Sequence, residues 1–312
     1  MRIPEGLMTV RIATLETELA SASLAQKLAD AGWTVKVDAD RPSRILLKWD
    51  DGLEDSTATV ADLLTGFILT DWLYEYIHRR VGVLHPYLDT EQQEYVALLV
   101  LHGLRHKETA TGGWTWDQWR SRLGRTFGEV LGRATAESIH VSVDGILRFR
   151  ARGLMRAAEA SIDEVVRQFL TDQEYEEFVD MLRYILDAQS PSQQVLHVFC
   201  SDERIWLCDE EGNLVRDREV SAAAVQASEG EDVNAEDLAM SILITRAPCR
   251  IILHDLTRSA PWPTFAETVE RVFQDRVRRC DNCSTCAELR AHLDDPAFAR
   301  GEFPPAMPNL YD

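Results

Sequence analysis

The sequence predicts an α+β protein that is mainly helical, with a central helical region followed by a smaller α/β unit that contains a β-hairpin. Apolar residues recur at the helical period through much of the segment 56–190. After Pro191 the pattern changes to alternation, which is typical of strands. A small α/β unit is also expected at the amino end, in residues 1–50.

The segment 1–50 carries one helical pattern between short strand patterns. Its helical part, Leu15–Ala31, ends at Gly32, which suits the residue after a helix. The predicted strands are Val10–Ala13, Thr34–Val37 and Arg44–Trp49.

The region 56–190 is predicted to hold several helices. Thr90 and Gln93 fit a capping box, and Thr171 and Glu174 fit a second one. The second box would separate two long helices. The expected helices cover Val60–Ile77, the stretch after Thr90, Asp117–Ala136, Leu154–Leu170 and Tyr175–Leu186, with a short strand at His140–Val143.

The segment 191–295 is predicted to be the C-terminal α/β unit. Its hairpin is expected at Val195–Cys200 and Arg204–Cys208. An acidic loop at 209–237 follows, with a flexible part at Ser221–Asn234. The remaining expected elements are a helix at Ala235–Arg246, a strand at Arg250–His254, a helix that opens with the capping box Thr264/Glu267, and a Pro-rich tail at 296–312.

The charge of the chain restricts its partners. It has 33 basic and 52 acidic residues, a formal net charge of −19. Phosphate backbones repel such a surface, so we expect no nucleic-acid partner. No apolar run is long enough to cross a bilayer, and no signal peptide is recognised, so a cytoplasmic location is expected. In that reducing compartment the six cysteines are expected to be thiols or metal ligands.

Cys280, Cys283 and Cys286 form the main candidate site, with the pattern Cys-x-x-Cys-x-x-Cys. Spacings of two residues let neighbouring thiolates bind one ion, as in zinc and iron–sulfur loops. Thr285 and Glu288 fit a capping box, which would place Cys286 in the first turn of a helix, where thiolates are favoured. The adjacent Arg278 and Arg279 are expected to stabilise the sulfur charge.

The fourth ligand is left open by the sequence. His254, at the end of a predicted strand, is the first candidate, and Cys249, Cys208 and Cys200 are the others. His292 follows Cys286 by six residues, which puts the two on different sides of a helix. Zinc is the expected ion. An iron–sulfur cluster is less favoured, because the ferredoxin run needs a fourth cysteine and a proline. A redox-active thiol set and inert surface thiols remain as alternatives.

Other residues have simpler interpretations. His102 and His106 lie four apart on a helix, without the glutamate of a metalloprotease motif. The C-terminus of a helix favours partly positive histidines for electrostatic reasons, which explains the pair without a metal. Strand ends often carry polar residues because the chain leaves the core there, and this accounts for His254-Asp255. A catalytic group at the end of an apolar strand is the alternative. The segment with Trp114, Trp116 and Trp119 is expected to pack helices together, and the acidic group Asp51, Glu54 and Asp55 is expected to be a solvated loop.

The run from Ile146 to Cys286 resembles the family of the sporulation protein YtxC. The segments that carry this resemblance are Ile146–Arg150, Glu174–Leu186, Val195–Phe199, Ala247–Asp255 and Val272–Cys286. The resemblance implies a cytosolic protein of endospore-forming bacteria and brings no reaction, cofactor or catalytic residue. The first hypothesis is therefore a non-enzymatic interaction or regulatory module with a protein partner. The alternative is an enzyme or redox switch that uses the Cys280/Cys283/Cys286 cluster, with His254 as a further candidate.

Overall fold

A computed structural model describes residues 10–50, 56–106, 115–133, 138–202, 204–215 and 234–292. It confirms a mainly helical α+β protein with two small mixed sheets. The chain forms two compact units, Met1–Thr171 and Asp172–Asp312. Within the described ranges, no helix combines the length and the apolar character that a membrane span requires.

Unit 1 has a four-stranded sheet with the order β2-β3-β1-β4. Its strands are β1 (Val10–Glu16), β2 (Thr34–Val37), β3 (Arg44–Asp50) and β4 (Ile139–Ser142). The pairs β1–β3 and β2–β3 are antiparallel, while β1 and β4 are parallel. Because β4 comes from the predicted helical region, the segments 1–50 and 56–190 share one sheet. Their buried side chains also form one core.

Most helices of unit 1 differ from the predicted ones at their ends, and one, at Val143–Arg150, was not predicted. They are α1 (Ser21–Asp30), α2 (Ser56–Phe67), α3 (Leu73–Leu84), α4 (Thr90–His106), α5 (Trp116–Leu131) and α6 (Val143–Arg150). A π-helical segment, Ile68–Trp72, joins α2 to α3. Leu15 continues β1 opposite Ile45 instead of opening a helix, because its side chain is fully buried in the core.

Helix α4 is capped one residue earlier than the sequence indicates. Asp89 accepts a hydrogen bond from the backbone N–H of Gln92 (2.8 Å), and the Gln92 side chain accepts one from Asp89 N–H (3.0 Å). This reciprocal pair takes the place of the predicted Thr90/Gln93 box. Gln93 instead donates from Nε2 to the carbonyl of Leu88.

Asp144 joins distant parts of unit 1. One carboxylate oxygen accepts a hydrogen bond from the backbone N–H of Glu18 (2.8 Å), and the other accepts from Trp72 Nε1 (2.9 Å). Hydrogen bonds to a charged acceptor are among the stronger ones. Asp144 therefore holds the connection after β1 against the π-helical segment.

Two further contacts in unit 1 involve the long helix α7 (Arg152–Asp187). Tyr76 donates from its hydroxyl to Glu159 (2.7 Å), and burial together with that carboxylate raises the pKa of Tyr76 to about 12. At Gly153 an added Cβ would lie 2.9 Å from the ring of Trp119. The α7 backbone therefore approaches that indole as closely as glycine allows.

Helix α7 replaces the two helices predicted at Leu154–Leu170 and Tyr175–Leu186. The pattern Thr171/Glu174 lies inside it. No glycine or proline occurs near that position, so nothing in the local sequence stops the helix. The boundary between the two compact units falls within α7, after Thr171.

Unit 2 contains a second four-stranded sheet, with the order β6-β5-β7-β8. Its strands are β5 (Ser192–Cys200), β6 (Ile205–Cys208), β7 (Pro248–Asp255) and β8 (Val277–Arg279). The β5–β6 pair is the predicted antiparallel hairpin, and β7 is parallel to both β5 and β8. Its other helices are α8 (Ala235–Arg246), α9 (Phe265–Phe273) and α10 (Ser284–His292).

The capping box of α9 is present as predicted, with Thr264 and Glu267 as its members. The helix ends at Phe273, and Val277 belongs to β8 instead of the helix, after a 3-10 turn at Gln274–Arg276. The acidic loop 209–237 ends early, because Asn234 caps α8. Residues 216–233 of that loop, the tail 296–312, Trp114 and the group Asp51, Glu54 and Asp55 lie outside the described residues.

Candidate metal centre

The second sheet has two chemically different faces. Side chains alternate along a strand, so residues two apart share a face. One face carries aliphatic residues of β5 and β7 and packs into the main core of unit 2; examples are Val198 and Leu253. The opposite face carries His197, Phe199 and His254, and we call it the histidine face.

His254 is fixed on this face by its strand neighbours. Phe199 of β5 lies directly opposite it, and the two rings stack with their centroids 3.9 Å apart and 11° between their planes. His254 is only 2% exposed. The Nε2 atom of His254 lies 3.0 Å from Nδ1 of His197. The other ring nitrogen of His254, Nδ1, therefore points away from His197.

The thiols reach this position through a turn that follows β8. Cys280 donates its backbone N–H to the carbonyl of Leu253 (2.9 Å), which extends the β7–β8 pairing to the first thiol. Asn282 then adopts a left-handed conformation, with φ of 68°. The backbone N–H of Cys283 donates to Cys280 Sγ (3.3 Å), and helix α10 begins at the next residue. Cys286 therefore lies in the first turn of α10, as predicted.

The four ligand atoms converge. The Sγ atom of Cys286 lies 3.7 Å from that of Cys283 and 3.9 Å from that of Cys280. His254 Nδ1 lies 3.2 Å from the Cys286 sulfur and 3.7 Å from the Cys283 sulfur. All four atoms lie within 4.8 Å of one another, and no other such group of three or more occurs in the described parts of the chain.

These separations can be compared with those of a tetrahedral zinc site. Bonds of about 2.3 Å to sulfur and about 2.0–2.1 Å to nitrogen place two sulfurs about 3.8 Å apart and sulfur about 3.6 Å from nitrogen. The sulfur–sulfur distances of 3.7 and 3.9 Å fit this arrangement. The nitrogen–sulfur distance of 3.7 Å to Cys283 also agrees, whereas that of 3.2 Å to Cys286 is shorter than a bound ion would give. The set Cys280, Cys283, Cys286 and His254 is thus compatible with zinc in its ligand types and in most of these separations.

The thiols do not share one electrostatic setting. For Cys283, burial opposes ionisation, but hydrogen bonds from the backbone of Cys286 and the side chain of Cys280 outweigh it and lower the pKa. For Cys286, burial raises the pKa well above the ordinary thiol value, and the neighbouring thiols raise it further. The sequence predicted that the first turn of a helix would lower the pKa of Cys286. In the absence of a cation this prediction is wrong. A divalent ion would reverse this by stabilising all three thiolates.

His254 is neutral in this environment, as a metal ligand must be. Burial, together with a smaller effect of His197, lowers its pKa to about 4. If Nδ1 of His254 faces the ion, its Nε2 carries the proton and donates a hydrogen bond to Nδ1 of His197. This hydrogen bond is the kind of outer contact that fixes the orientation of a ligating histidine.

Arg279 and Arg290 bind groups around the site, and the partners of their hydrogen bonds and ion pairs are not the sulfur atoms. Arg279 pairs with Glu270 and with Asp255 (3.1 Å), so its charge is directed away from the thiols that it was expected to stabilise. Arg290 of α10 donates to the side chain of Asn282 (2.8 Å) and to the carbonyl of Asp255 (3.1 Å). It thereby ties α10 to the thiol turn and to the end of β7.

The other described candidates for the fourth ligand are not part of the group of converging ligand atoms. Cys249 is exposed near the start of β7 and contacts the carbonyl of Gln194. Cys200 and Cys208 are buried, burial raises the pKa of each to about 12, and neither sulfur belongs to the group of four ligand atoms. The side chain of His292 lies outside the described residues.

The remaining sequence candidates do not form a site. His102 and His106 are exposed on α4 with their rings 4.4 Å apart, and no third ligand joins them among the described residues. Trp119 is buried in the core of unit 1, and Trp116 packs against that core. Thr285 does not cap α10, because its buried hydroxyl makes no hydrogen bond with any described residue.

Sequence reasoning missed His197 and Phe199. Both belong to β5, two residues apart, and so must share a face if β5 is a strand. Their relation to His254 depends on the parallel pairing of β5 with β7, which the sequence does not specify. The sequence offered one indication of this arrangement. His197 and Phe199 alternate on one predicted strand, and another predicted strand ends at His254.

Comparison with known families gives one match. A model of the YtxC-like family matches residues 58–278. The match begins well before Ile146, where the sequence resemblance begins. It includes His254 and ends before Cys280. No curated protein and no solved structure matches the chain.

Proposed function

The chain belongs to the YtxC-like family, and from this premise we propose that it is a cytoplasmic, sporulation-associated protein built around a structural zinc ion. The ligands are Cys280, Cys283, Cys286 and Nδ1 of His254. The protein acts through a protein partner as an interaction or regulatory module, and catalysis at the ion is not part of this role.

One observation carries the metal assignment: three sulfurs and one imidazole nitrogen lie within 4.8 Å of one another around one point. Three cysteines and one histidine are a common ligand set of structural zinc sites. Four protein ligands complete the tetrahedron, so no position remains for a substrate or an activated water. A nitrogen ligand and the absence of a ferredoxin motif favour zinc over an iron–sulfur cluster.

The proposed partner is supported by an apolar row on helix α7. Phe178, Met181, Tyr184 and Ile185 repeat at intervals that keep them close to one helix face, and each is exposed, Tyr184 by 79%. A row of this kind is typical of helix recognition by another protein. Its acidic surroundings, including Glu174, Glu177 and Asp180 on the same helix, agree with a partner that is not a nucleic acid.

Elemental analysis of the full chain, purified without chelator and under reducing conditions, tests the metal assignment. We expect one zinc per chain in the native protein and almost none in Cys283→Ser. Cys249→Ser is the matched control, because its thiol lies outside the group, and it should keep the ion. Native protein without stoichiometric metal, or with a brown iron chromophore, would refute the zinc site.

A genetic test addresses the cellular role. In an endospore-forming host that lacks its own copy of the gene, the native chain should restore the yield of heat-resistant spores. Tyr184→Glu should fail to do so if the α7 row binds the partner. Phe149→Glu changes another exposed aromatic residue, on α6, and should restore the yield. Equal yields with and without the native gene would exclude a role in sporulation.

A thiol switch is the second candidate, and the pair Cys283 and Cys286 favours it. Their sulfurs lie 3.7 Å apart, and the pKa of Cys283 is lowered. Oxidation would form one disulfide, and a small-molecule disulfide would take up the two electrons and two protons and become two thiols. Metal-free protein treated with such a disulfide should then lose two free thiols, which Cys283→Ser would prevent. Resistance of the metal-free thiols would exclude the switch.

A further inference from the structure

A cavity of about 330 Å³ opens on the histidine face, next to the metal centre. The pairing of the strands explains what lines it. Val195 lies opposite Arg250, and Ile252 lies opposite Arg278, so these four side chains share the histidine face. His254 occupies the next position of this face along β7 and is covered by the thiols and α10, whereas Arg250 and Arg278 are exposed.

Two of the three arginines that line this cavity remain available for a ligand. Neither Arg250 nor Arg278 forms an ion pair or hydrogen bond within the described chain. The third arginine at the cavity, Arg279, is already bound by Glu270 and Asp255. The chain has a net charge of −19, and the carboxylates of Glu210 and Asp281 also line the cavity, yet these two guanidinium groups form no ion pair with the described residues.

His197 supplies a third donor, and this part of the inference rests on the proposed metal site. When His254 binds the ion through Nδ1, its Nε2–H donates to Nδ1 of His197. A neutral His197 then carries its own proton on Nε2. This nitrogen makes no hydrogen bond with the described residues, and the ring lines the cavity. The ion would thus fix a donor at the cavity wall.

We propose that this cavity binds a small phosphate dianion, either free phosphate or a phosphomonoester, between Arg250, Arg278 and His197. Guanidinium groups match phosphate oxygens with paired N–H donors. The size of the cavity lies near the lower end of small-molecule sites, and Val195 and Ile252 offer an apolar floor for a short carbon skeleton. The carboxylates of Glu210 and Asp281, which also line the cavity, disfavour longer polyanions.

Isothermal titration calorimetry of the metal-loaded full chain tests this site, with inorganic phosphate, glycerol phosphate and acetate as probes. We expect one saturable site for the phosphates and much weaker binding of acetate. Tighter binding of glycerol phosphate than of inorganic phosphate would assign the site to a phosphomonoester, and the reverse to the free ion. Arg250→Gln and Arg278→Gln should each weaken phosphate binding by about tenfold or more.

Arg148→Gln is the matched control, because this arginine is exposed on α6 in the other unit, and it should leave binding unchanged. No saturable binding of phosphate, equal binding of acetate, or an equal loss with Arg148→Gln would overturn the proposal. Metal content is measured on every sample. Protein with zinc and no phosphate site refutes only this inference, whereas arginine-dependent phosphate binding without zinc refutes only the proposed ion.

Discussion

Loss of the metal should release one segment of unit 2, residues 280–292, and leave the strands beneath it in place. Cys283→Ser is the perturbation, since a serine hydroxyl stays protonated near neutral pH and binds zinc poorly. The segment has few other attachments. Helix α10 has nine residues, fewer than the roughly 12–15 that an isolated helix needs in water.

The size of the effect follows from the contacts of that segment. Burial of Leu289 contributes about 1.5–3 kcal/mol, and the two hydrogen bonds of Arg290 contribute about 1 kcal/mol each. Zinc at a free concentration of about 1,000 times its Kd adds about 4.1 kcal/mol. That is similar to the sum of the Leu289 and Arg290 contributions, and the loss of 4.1 kcal/mol raises the open population about 10³-fold.

Hydrogen–deuterium exchange with mass spectrometry measures this directly. Backbone amides in the segment 280–292 should exchange up to about 10³-fold faster in Cys283→Ser, or after chelation, than in the native protein. Amides of β5 should keep their protection. Cys249→Ser should behave like the native protein. The reasoning is refuted if chelation leaves exchange in the segment unchanged, or if Cys249→Ser accelerates it equally.

Three further predictions concern unit 1. Asp144→Ala removes the acceptor of two hydrogen bonds and should lower the free energy of unfolding by about 2–4 kcal/mol in urea titrations. Gly153→Ala should lower it by about 1–3 kcal/mol, because the new methyl group meets the Trp119 ring. In an ultraviolet difference titration against Tyr76→Phe, Tyr76 should ionise near pH 12. Because its folded pKa lies above the unfolded value of 10.0, the stability that it contributes is complete below pH 10 and is lost as the pH rises towards 12.

Matched variants separate these effects from general damage. Gly103→Ala adds a methyl group that meets nothing within 4 Å, so it should stabilise the protein by about 1 kcal/mol through helix propensity. A loss there equal to that of Gly153→Ala would contradict the clash with Trp119. Asp144→Asn keeps one acceptor and should fall between the native protein and the alanine variant. A Tyr76 that ionises near pH 10 would contradict the Glu159 contact.

The sequence was most informative where structure is local. The capping box at Thr264/Glu267, the hairpin β5–β6 and the strand β3 follow from residues close together in the chain. The same local rules failed at Thr171/Glu174, where a capping pattern occurs inside a continuous helix. A capping box can end a helix only if the preceding residue leaves the helical conformation, and the pattern itself does not require that.

The candidate site was only partly predictable, for a similar reason. The spacing of Cys280, Cys283 and Cys286 points to a common centre within a few residues. His254 reaches that centre because β8 is parallel to β7 and the chain then turns back over the sheet. His197 depends on a second parallel pairing across a large sequence separation. Parallel register is set by packing between distant segments, so one chain read alone leaves it undetermined.

The position of β1 in the first sheet affects how the chain is made. Ala13 of β1 pairs with Ile139 of β4, which lies 126 positions later in the chain (139 − 13). Translation at about 5–20 residues per second separates their emergence from the ribosome by roughly 6–25 s. During that interval one edge of β1 remains open, ready to pair with another nascent chain. Growing chains of this protein are therefore expected to need chaperone protection until the fourth strand arrives.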